Sequence, residues 1–222
     1  TLPAVMYLYS NEKLDINGKL GNYVSFPDTS KYNEIVISDI LLHQAGLTPW
    51  IPFYIKTIRS LIPGQPLTHK SHSSTYAYQL APNFYLNKNT EPSTKYYSKN
   101  YSFSNPVEVT SNLFAVEGIT DTIFSWILES PINNIGKYSY SDLGFILLHR
   151  AIGNVIRLPH ADYLEKSFYR NLGMSRTCFN PLEKFDILDI VPTENDLLFR
   201  KQLIWGHVHD PAAAMMGGIA GH

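Results

Sequence analysis

The stretch KYSYSDLGF, residues 137–145, places a phenol, a hydroxyl and a carboxylate at three consecutive positions, Tyr140, Ser141 and Asp142. An apolar segment with helical spacing follows directly. Ser141 or Asp142 can cap that helix by accepting from its free backbone N–H groups, and Asp142 can oppose the positive end of the helix dipole. Capping does not account for Tyr140. A phenol with an unperturbed pKa of about 10 can act as a base once cationic groups are held beside it. The pattern therefore leaves two interpretations open, a capped helix start and a catalytic tyrosine.

Histidines near the end of the chain suggest a metal site. His207 and His209 alternate in HVHD, followed by Asp210, and alternate residues of a strand share a face. The sequence contains neither a helical His-Glu-x-x-His nor a third ligand at a suitable spacing, apart from the distant His222, so we expect no metal. We interpret His43 as a hydrogen-bonded histidine beside a helix end rather than as a catalytic base.

The elements that must position these residues begin with two helices. Apolar residues at helical spacing predict a first helix that ends near Asn11, with Leu2, Val5, Met6 and Tyr9 on its apolar face. The segment VISDILLHQAGL predicts a second helix, capped by Ser38 and ended by Gly46. The aromatic stretch TPWIPFY follows, and its prolines exclude a continuous helix. We expect this stretch to form a pocket wall or a lid over the core.

Residues 63–112 show little periodicity and are rich in Tyr, Ser, Asn and Lys. We predict a long irregular surface excursion with one or two short strands, for which VEVT and NLFAV are the best candidates.

Three further helices are predicted after this excursion. Their segments are TDTIFSWILES, SDLGFILLHRAIGNVI and HADYLEKSFYRNLG, and Gly173 closes the last one. Their predicted apolar residues are Ile123, Trp126 and Ile127; Leu143, Ile146, Leu147 and Ile152; and Tyr163, Leu164, Phe168 and Leu172. Gly217, Gly218 and Gly221 do not fit a phosphate loop, because no Lys-Ser/Thr follows them, and we expect them to permit close backbone approach.

Composition excludes several classes of partner. The chain has 222 residues, 44% of them hydrophobic, which is enough for one sizeable core. A formal net charge of −1 provides no electrostatic reason to expect nucleic acid or an anionic membrane. No apolar run is long enough to span a bilayer. The start lacks an initiator methionine and a signal-peptide pattern, so we expect the interior of a longer protein.

Three ordered segments resemble the serine β-lactamase and penicillin-binding-protein superfamily. ISDILLHQAGL is similar to its Leu-Leu-x-His-x-Ser-Gly-Leu helix, and YSDLGFILLHRAI is similar to its Tyr-Ser-Asn/Asp-x-Gly motif. GHVHDPAAAMMGGIAGH resembles a stretch of the class C-like serine hydrolases. Together with LTPWIPFY, the late PTENDLLFRKQLIWGHVHDPAAAM resembles the β-lactamase-type domain fused to family-three β-N-acetylglucosaminidases.

The resemblance implies roles for named residues. Tyr140 takes the position of the catalytic tyrosine, which shares the activation of a serine nucleophile with a lysine. Asp142 takes the position usually held by Asn, which contacts the substrate amide and the lysine. Because a carboxylate is anionic and an amide is neutral, β-lactam hydrolysis is not implied. We take the aromatic Trp50 and Tyr54 as substrate-binding candidates. His209 and Asp210, structural or pocket-lining by resemblance, join them.

Two motifs of that superfamily are not found where they belong. The nucleophilic Ser-x-x-Lys should open the first apolar helix, yet the one match, Ser10 to Lys13, lies at the far end of that helix. We interpret Ser10 as a chance match and expect the motif upstream of Thr1. The Lys/His-Thr/Ser-Gly motif is expected after His222. On this basis residues 1–222 form a single partial domain.

The predicted fold class is α+β, namely the mostly helical central part of a DD-peptidase-like fold with few short strands. The predicted function is part of an exported, cell-wall-related serine hydrolase, periplasmic or otherwise extracytoplasmic. The resemblance implies no cofactor and a small-molecule or peptidoglycan-derived substrate, and the chain by itself is expected to be inactive. The alternative is a non-catalytic sugar- or peptide-binding scaffold that uses the aromatic loop. The apolar faces of the first helix and of AAAMMGGIA are expected to lack partners, which would favour self-association.

Overall fold

The structure is a computed structural model, and it describes residues 1–218 of the chain. The chain divides into two compact units. The first unit comprises residues 1–51, 122–184 and 216–218, and the second comprises residues 52–121 and 185–215. Among the described residues, no helix is both long enough and apolar enough to cross a membrane.

The first unit is helical. Its helices are α1 (Leu2–Ser10), α2 (Ile37–Leu41), α4 (Asp142–Ile156) and α5 (His160–Leu164), together with most of α3 (Ile119–Leu128). The buried residues of α3 and α4 include all of those that the sequence predicts except Trp126, which is only partly buried, and the predicted bounds of both helices are confirmed within two residues. They are Ile123 and Ile127 in α3, and Leu143, Ile146, Leu147 and Ile152 in α4.

Helix α1 ends where the sequence predicts, but most of its predicted apolar face is wrong. Leu2, Met6 and Tyr9 are 46%, 55% and 52% exposed, whereas Ala4, Val5 and Leu8 are buried. Nearly every residue of this helix is apolar, so helical spacing describes more than one possible buried stripe. Packing selects between them, and periodicity cannot.

Helix α2 ends earlier than expected. It stops at Leu41, its N-cap is Val36 rather than Ser38, and His43 takes the left-handed backbone conformation with φ +54°. Gly46 also has a positive φ, but it lies beyond the helix end. A Cβ atom at Gly46 would lie 2.4 Å from the Asn133 carbonyl oxygen, so this glycine permits a close approach of two loops.

The segment after α4 is helical to Gly173, as predicted. Helix α5 continues through a π-helical turn, Glu165–Tyr169, and a 3-10 turn, Arg170–Leu172. Of the four predicted apolar residues, Leu164 is buried and Leu172 is 60% exposed. The π turn shifts the helical register, so a fixed 3.6-residue period does not describe one face along the segment.

The second unit contains ten short strands and most of α6 (Pro211–Met216). The strands pair antiparallel in four small sheets: β1 with β5, β9 with β10, β2-β4-β3 and β6-β8-β7. Their bounds are β1 Ile58–Ser60, β2 Thr68–His69, β3 Tyr78–Ala81, β4 Phe84–Leu86, β5 Thr90–Pro92, β6 Tyr97–Ser98, β7 Val107–Thr110, β8 Leu113–Ala115, β9 Glu194–Asp196 and β10 Gln202–Ile204.

The two predicted strands are confirmed as the β7–β8 hairpin, in which Val107 faces Ala115 and a bulge follows Glu108. Residues 63–112 contain more strands than expected, because β2 to β6 also begin there. Strands of two to four residues are too short to show alternation. The expected combination of helices and strands is observed, with 35% of residues helical and 16% in strands, so the description "mostly helical" is not confirmed.

Candidate active site

Two loops of the first unit pair along their length and bring the candidate residues together. Residues 43–49, after α2, and residues 131–142, which end at the first residue of α4, form the loop pair. Backbone hydrogen bonds connect Ser139 N to His43 O, Gly136 N to Gln44 O and Asn133 N to Gly46 O, each 2.8 Å long. Asp142 N donates to Pro49 O over 3.3 Å, and Thr48 Oγ1 donates to Pro131 O over 3.2 Å. The backbone around Tyr140 is therefore held on both sides.

Ser141 caps α4, and it is one of the two capping residues that the sequence allows. Its hydroxyl accepts from Leu143 N at 3.2 Å and donates to Thr48 O at 2.7 Å, and the residue is buried. Asp142 is the first helical residue, where its negative charge opposes the positive end of the dipole. Capping and a catalytic role for Tyr140 are thus compatible, since the capping hydroxyl belongs to Ser141 and not to Tyr140.

His43 joins the two loops through its side chain. Its Nδ1 accepts from Ser141 N at 3.3 Å, which places the proton of a neutral ring on Nε2. The imidazole centroid lies 4.6 Å from the Tyr140 ring, at an interplanar angle of 41°. Phe145 and Tyr138 also contact the imidazole, at 5.8 Å and 6.0 Å. The prediction that His43 is a hydrogen-bonded histidine is confirmed.

A cleft of about 150 Å³ lies at this junction. It is lined by His43, Tyr140, Ser141, Asp142 and Phe145. Tyr140 is 58% exposed and Asp142 is partly buried, so both side chains can be reached by a small molecule. The two catalytic candidates chosen from the sequence therefore lie at one concave site, where a phenol and a carboxylate line the cleft beside an imidazole.

The four substrate-binding candidates are placed differently. Trp50 belongs to the first unit and is 42% exposed. Tyr54 belongs to the second unit, where it is buried with its ring 5.5 Å from that of Phe199. Burial, together with the negative charges of Asp196 and Glu194, raises the pKa of Tyr54 to about 12. Tyr54 therefore packs as a neutral core residue, and its role in substrate binding stays a prediction.

Asp210 and His209 lie at the start of α6. The Asp210 carboxylate accepts from Ala213 N at 2.7 Å, and its carbonyl oxygen accepts from Ala214 N. His209 is exposed, and its carbonyl oxygen accepts from the Arg200 guanidinium. Asp210 thus caps a helix that begins with Pro211, a signal that is present in the sequence as Asp-Pro. Substrate binding by either residue stays a prediction.

His207 has partners of its own within the second unit. Its Nε2 lies 3.2 Å from Glu108 Oε1, and its Nδ1 lies 3.1 Å from Trp205 O. In residues 1–218, no group of three or more His, Cys, Asp or Glu side chains is arranged to hold a metal ion.

Gly221 and His222 lie outside the described residues. Gly217 and Gly218 show the expected close approach, because a Cβ at Gly218 would lie 2.7 Å from His149 Cβ.

Sequence reasoning missed a buried ion pair in the segment ENDLLFR. Asp196 accepts from the side chain of Arg200 at 2.8 Å and from the backbone N–H groups of Leu198, Phe199 and Arg200. Burial alone would raise the pKa of Asp196, but these hydrogen bonds outweigh burial and the pKa is lowered. Arg200 also donates to Val208 O and Glu194, so it anchors the approach to α6. The signal was the spacing Asp-x-x-x-Arg.

Ser10 does not have the environment of a nucleophile. It is the last residue of α1, it is exposed, and its hydroxyl donates to the Met6 carbonyl oxygen at 2.9 Å. A serine becomes nucleophilic when a neighbouring base accepts its proton. The observed acceptor is a backbone carbonyl, in agreement with the interpretation of Ser10 as a chance match.

Comparison with known proteins gives relatives in sequence, while no protein-family model matches the chain. A protein named "Putative D-alanyl-D-alanine carboxypeptidase" from Escherichia coli K12 is 39% identical over 98 residues, which cover 39% of this chain and 23% of that protein. A protein of the same name from Salmonella newport is 36% identical over 98 residues, with the same coverage. The chain thus matches less than a quarter of the length of these curated relatives.

Two solved structures are similar to the chain. A β-lactamase/D-alanine carboxypeptidase from Yersinia pestis, complexed with citrate, has a TM-score of 0.42 and 17% identity over 80% of this chain and 37% of its own. An octameric penicillin-binding protein homologue from Pyrococcus abyssi has a TM-score of 0.49 and 15% identity over 97% of this chain and 38% of its own. The relatives in sequence are thus named as D-alanyl-D-alanine carboxypeptidases, and the structural neighbours are β-lactamase- and penicillin-binding-protein-like.

Proposed function

We propose that this chain is the central part of an extracytoplasmic serine hydrolase that acts on peptides, amides or esters derived from the cell wall. Tyr140 is its acid-base residue, and the nucleophilic Ser-x-x-Lys lies outside these 222 residues. The observation that carries the proposal is the junction at α4, where Tyr140 and Asp142 line one cleft. The sequence relatives, which are carboxypeptidases by name, support the same reaction class.

The chemistry requires a fixed phenol near the reacting atoms. The hydrogen bonds of the loop pair hold the backbone on both sides of Tyr140, so its ring starts from a defined position. Proton transfer by a positioned side chain contributes about 10²–10⁴-fold to a rate, provided that donor and acceptor are within hydrogen-bond reach. A backbone that is already held before a substrate arrives reduces the reorganisation that such a geometry requires.

Asp142 restricts what the cleft can bind. A carboxylate accepts hydrogen bonds but does not donate them, whereas an asparagine amide does both. Asp142 therefore suits substrate N–H groups or the ammonium group of a catalytic lysine, and it cannot donate to a substrate carbonyl oxygen. The proposal is a peptidase, amidase or esterase activity, and it does not include β-lactam hydrolysis or a fusion to a glucosaminidase.

The test uses the protein expressed from its complete gene. We expect Tyr140→Phe to lower hydrolysis of a D-alanyl-D-alanine peptide or a chromogenic ester by about 10²–10⁴-fold, because the acid-base hydroxyl is lost. Tyr138→Phe is the matched control, since its ring also contacts His43 but does not line the cleft. Its activity should stay within about twofold of wild type, a surface change away from the reacting atoms.

A fluorophosphonate probe gives a second measurement. The complete protein should be labelled on a serine outside this chain, and the 222-residue chain alone should not be labelled. Equal activities of Tyr140→Phe and Tyr138→Phe would overturn the role of Tyr140. Stoichiometric labelling of Ser10, or no labelling of the complete protein, would overturn the serine hydrolase mechanism and favour a binding function.

A further inference from the structure

His43 has a left-handed backbone conformation, which is uncommon for a residue other than glycine. Its φ of +54° lies in the left-handed region, which Asn, Asp and His enter more readily than other non-glycine residues. It directly follows Leu42, the C-cap of α2. The left-handed turn reverses the chain there, so the carbonyl oxygen of His43 can accept from Ser139 N while its imidazole reaches Ser141.

The imidazole holds two different groups. Through Nδ1 it accepts from Ser141 N, the amide next to Tyr140. Its ring contacts the Tyr140 ring at a centroid distance of 4.6 Å, which is shorter than its distances to Tyr138 and Phe145. Edge and face contacts between rings prefer centroid distances of 4.5–7 Å, so both the backbone and the side chain at Tyr140 have a partner on one residue.

We propose that His43 is a positioning residue for Tyr140. Its Nδ1 sets the backbone at Ser141, and the contact between the two rings sets the orientation of the phenol. The inference rests on the proposed function only in that Tyr140 is the group whose orientation matters to the reaction. As a positioning residue, His43 acts through Tyr140 and transfers no proton itself.

Two substitutions of His43 separate the hydrogen bond with Ser141 from the ring contact with Tyr140. His43→Asn keeps an acceptor, since Asn Oδ1 is attached to Cγ as Nδ1 is in histidine, and Asn tolerates the left-handed backbone. It removes the ring. His43→Phe keeps a flat ring at the same position and removes the acceptor. A residue that merely fills space would not show opposite effects in these two variants.

The readouts are site-specific NMR signals of the 222-residue chain. Hydrogen exchange at the Ser141 amide reports the Nδ1 bond. A 3-fluorotyrosine inserted at Tyr140 reports the ring contact through its ¹⁹F shift, and the same probe at Tyr138 is the matched control. The ¹H–¹⁵N spectrum of α4 verifies that each variant is folded. If His43→Phe does not fold, His43→Tyr, which also keeps a flat ring and has no acceptor at the Nδ1 position, replaces it.

We expect His43→Phe to raise Ser141 amide exchange by about tenfold, the factor for one hydrogen bond of typical strength, with the Tyr140 ¹⁹F shift retained. His43→Asn should retain the Ser141 protection and move the Tyr140 ¹⁹F signal. Parallel changes of both readouts in both variants, or no change in either, would overturn the positioning role. These spectra do not depend on hydrolysis, so the two proposals can fail separately. If Tyr140→Phe is inactive but the spectra of the His43 variants do not change, the positioning role of His43 fails. If Tyr140→Phe is active but the His43 variants give the predicted spectra, the catalytic role of Tyr140 fails.

Discussion

His149 in α4 makes the stability of the first unit sensitive to acid. Its ring stacks on that of His160 in α5, with centroids 3.8 Å apart and an interplanar angle of 15°. The Nε2 atom of His160 is buried and has no hydrogen-bond partner. Burial and the neighbouring His160 lower the pKa of His149 to about 3, and burial also lowers the pKa of His160. Both rings are therefore neutral in the folded chain.

The sign of the pH dependence follows from proton counts. Below about pH 6.5 an unfolded chain protonates His149, whereas the folded chain does not until about pH 3. The unfolded state then binds more protons, so the free energy of unfolding falls as the pH falls. For one site with these two pKa values, the loss between about pH 7.5 and pH 5 is about 2 kcal/mol. The loss ends below about pH 3, where both states are protonated.

Urea unfolding at several pH values between 7.5 and 5 measures this loss. His149→Gln cannot titrate in this range, so it should lose about 2 kcal/mol less than wild type over the same interval. His72→Gln, at an exposed histidine, is the control and should show the wild-type slope. Equal slopes for wild type and His149→Gln would refute the assignment of a buried neutral histidine at this position.

Four further substitutions test the packing described above. Gly144→Ala should destabilise the chain by about 1–3 kcal/mol in urea unfolding, because its Cβ would lie 2.6 Å from Ile40 Cγ2. Gly153→Ala in the same helix meets its nearest neighbour at 3.4 Å and should gain up to about 1 kcal/mol, so equal effects at the two glycines would contradict the packing. Ser141→Ala should lower the thermal midpoint by an amount equivalent to about 1 kcal/mol through the lost cap. Arg200→Met should cost about 3–5 kcal/mol by leaving the Asp196 carboxylate buried without its partner, and an effect below 1 kcal/mol would contradict a buried pair.

Local sequence was enough to predict the residues of the candidate site, but it was not enough to predict the distant residues that contact them. Capping by Ser141 and the neighbouring Tyr140 are encoded in consecutive residues, so they could be identified without a structure. The contact of His43 with Ser141 joins residues 98 positions apart, and no local pattern specifies such a partner. The buried face of α1 was not predictable for a different reason. The helix has apolar residues of its own on all sides, so only tertiary packing decides which of them are buried.

The loop pair also bears on how much the segment between its two loops can vary in length. It joins residues 43–49 to residues 131–142, and the strand-rich segment 52–121 lies between them in the sequence. The hydrogen bonds of the loop pair bring the flanking residues 43–49 and 131–142 together, and they involve no residue of that segment. Closing a flexible loop costs only about 0.6 kcal/mol more for each doubling of its length. We therefore expect insertions and deletions in segment 52–121 to leave the Tyr140 cleft unchanged, since no residue of that segment lines the cleft.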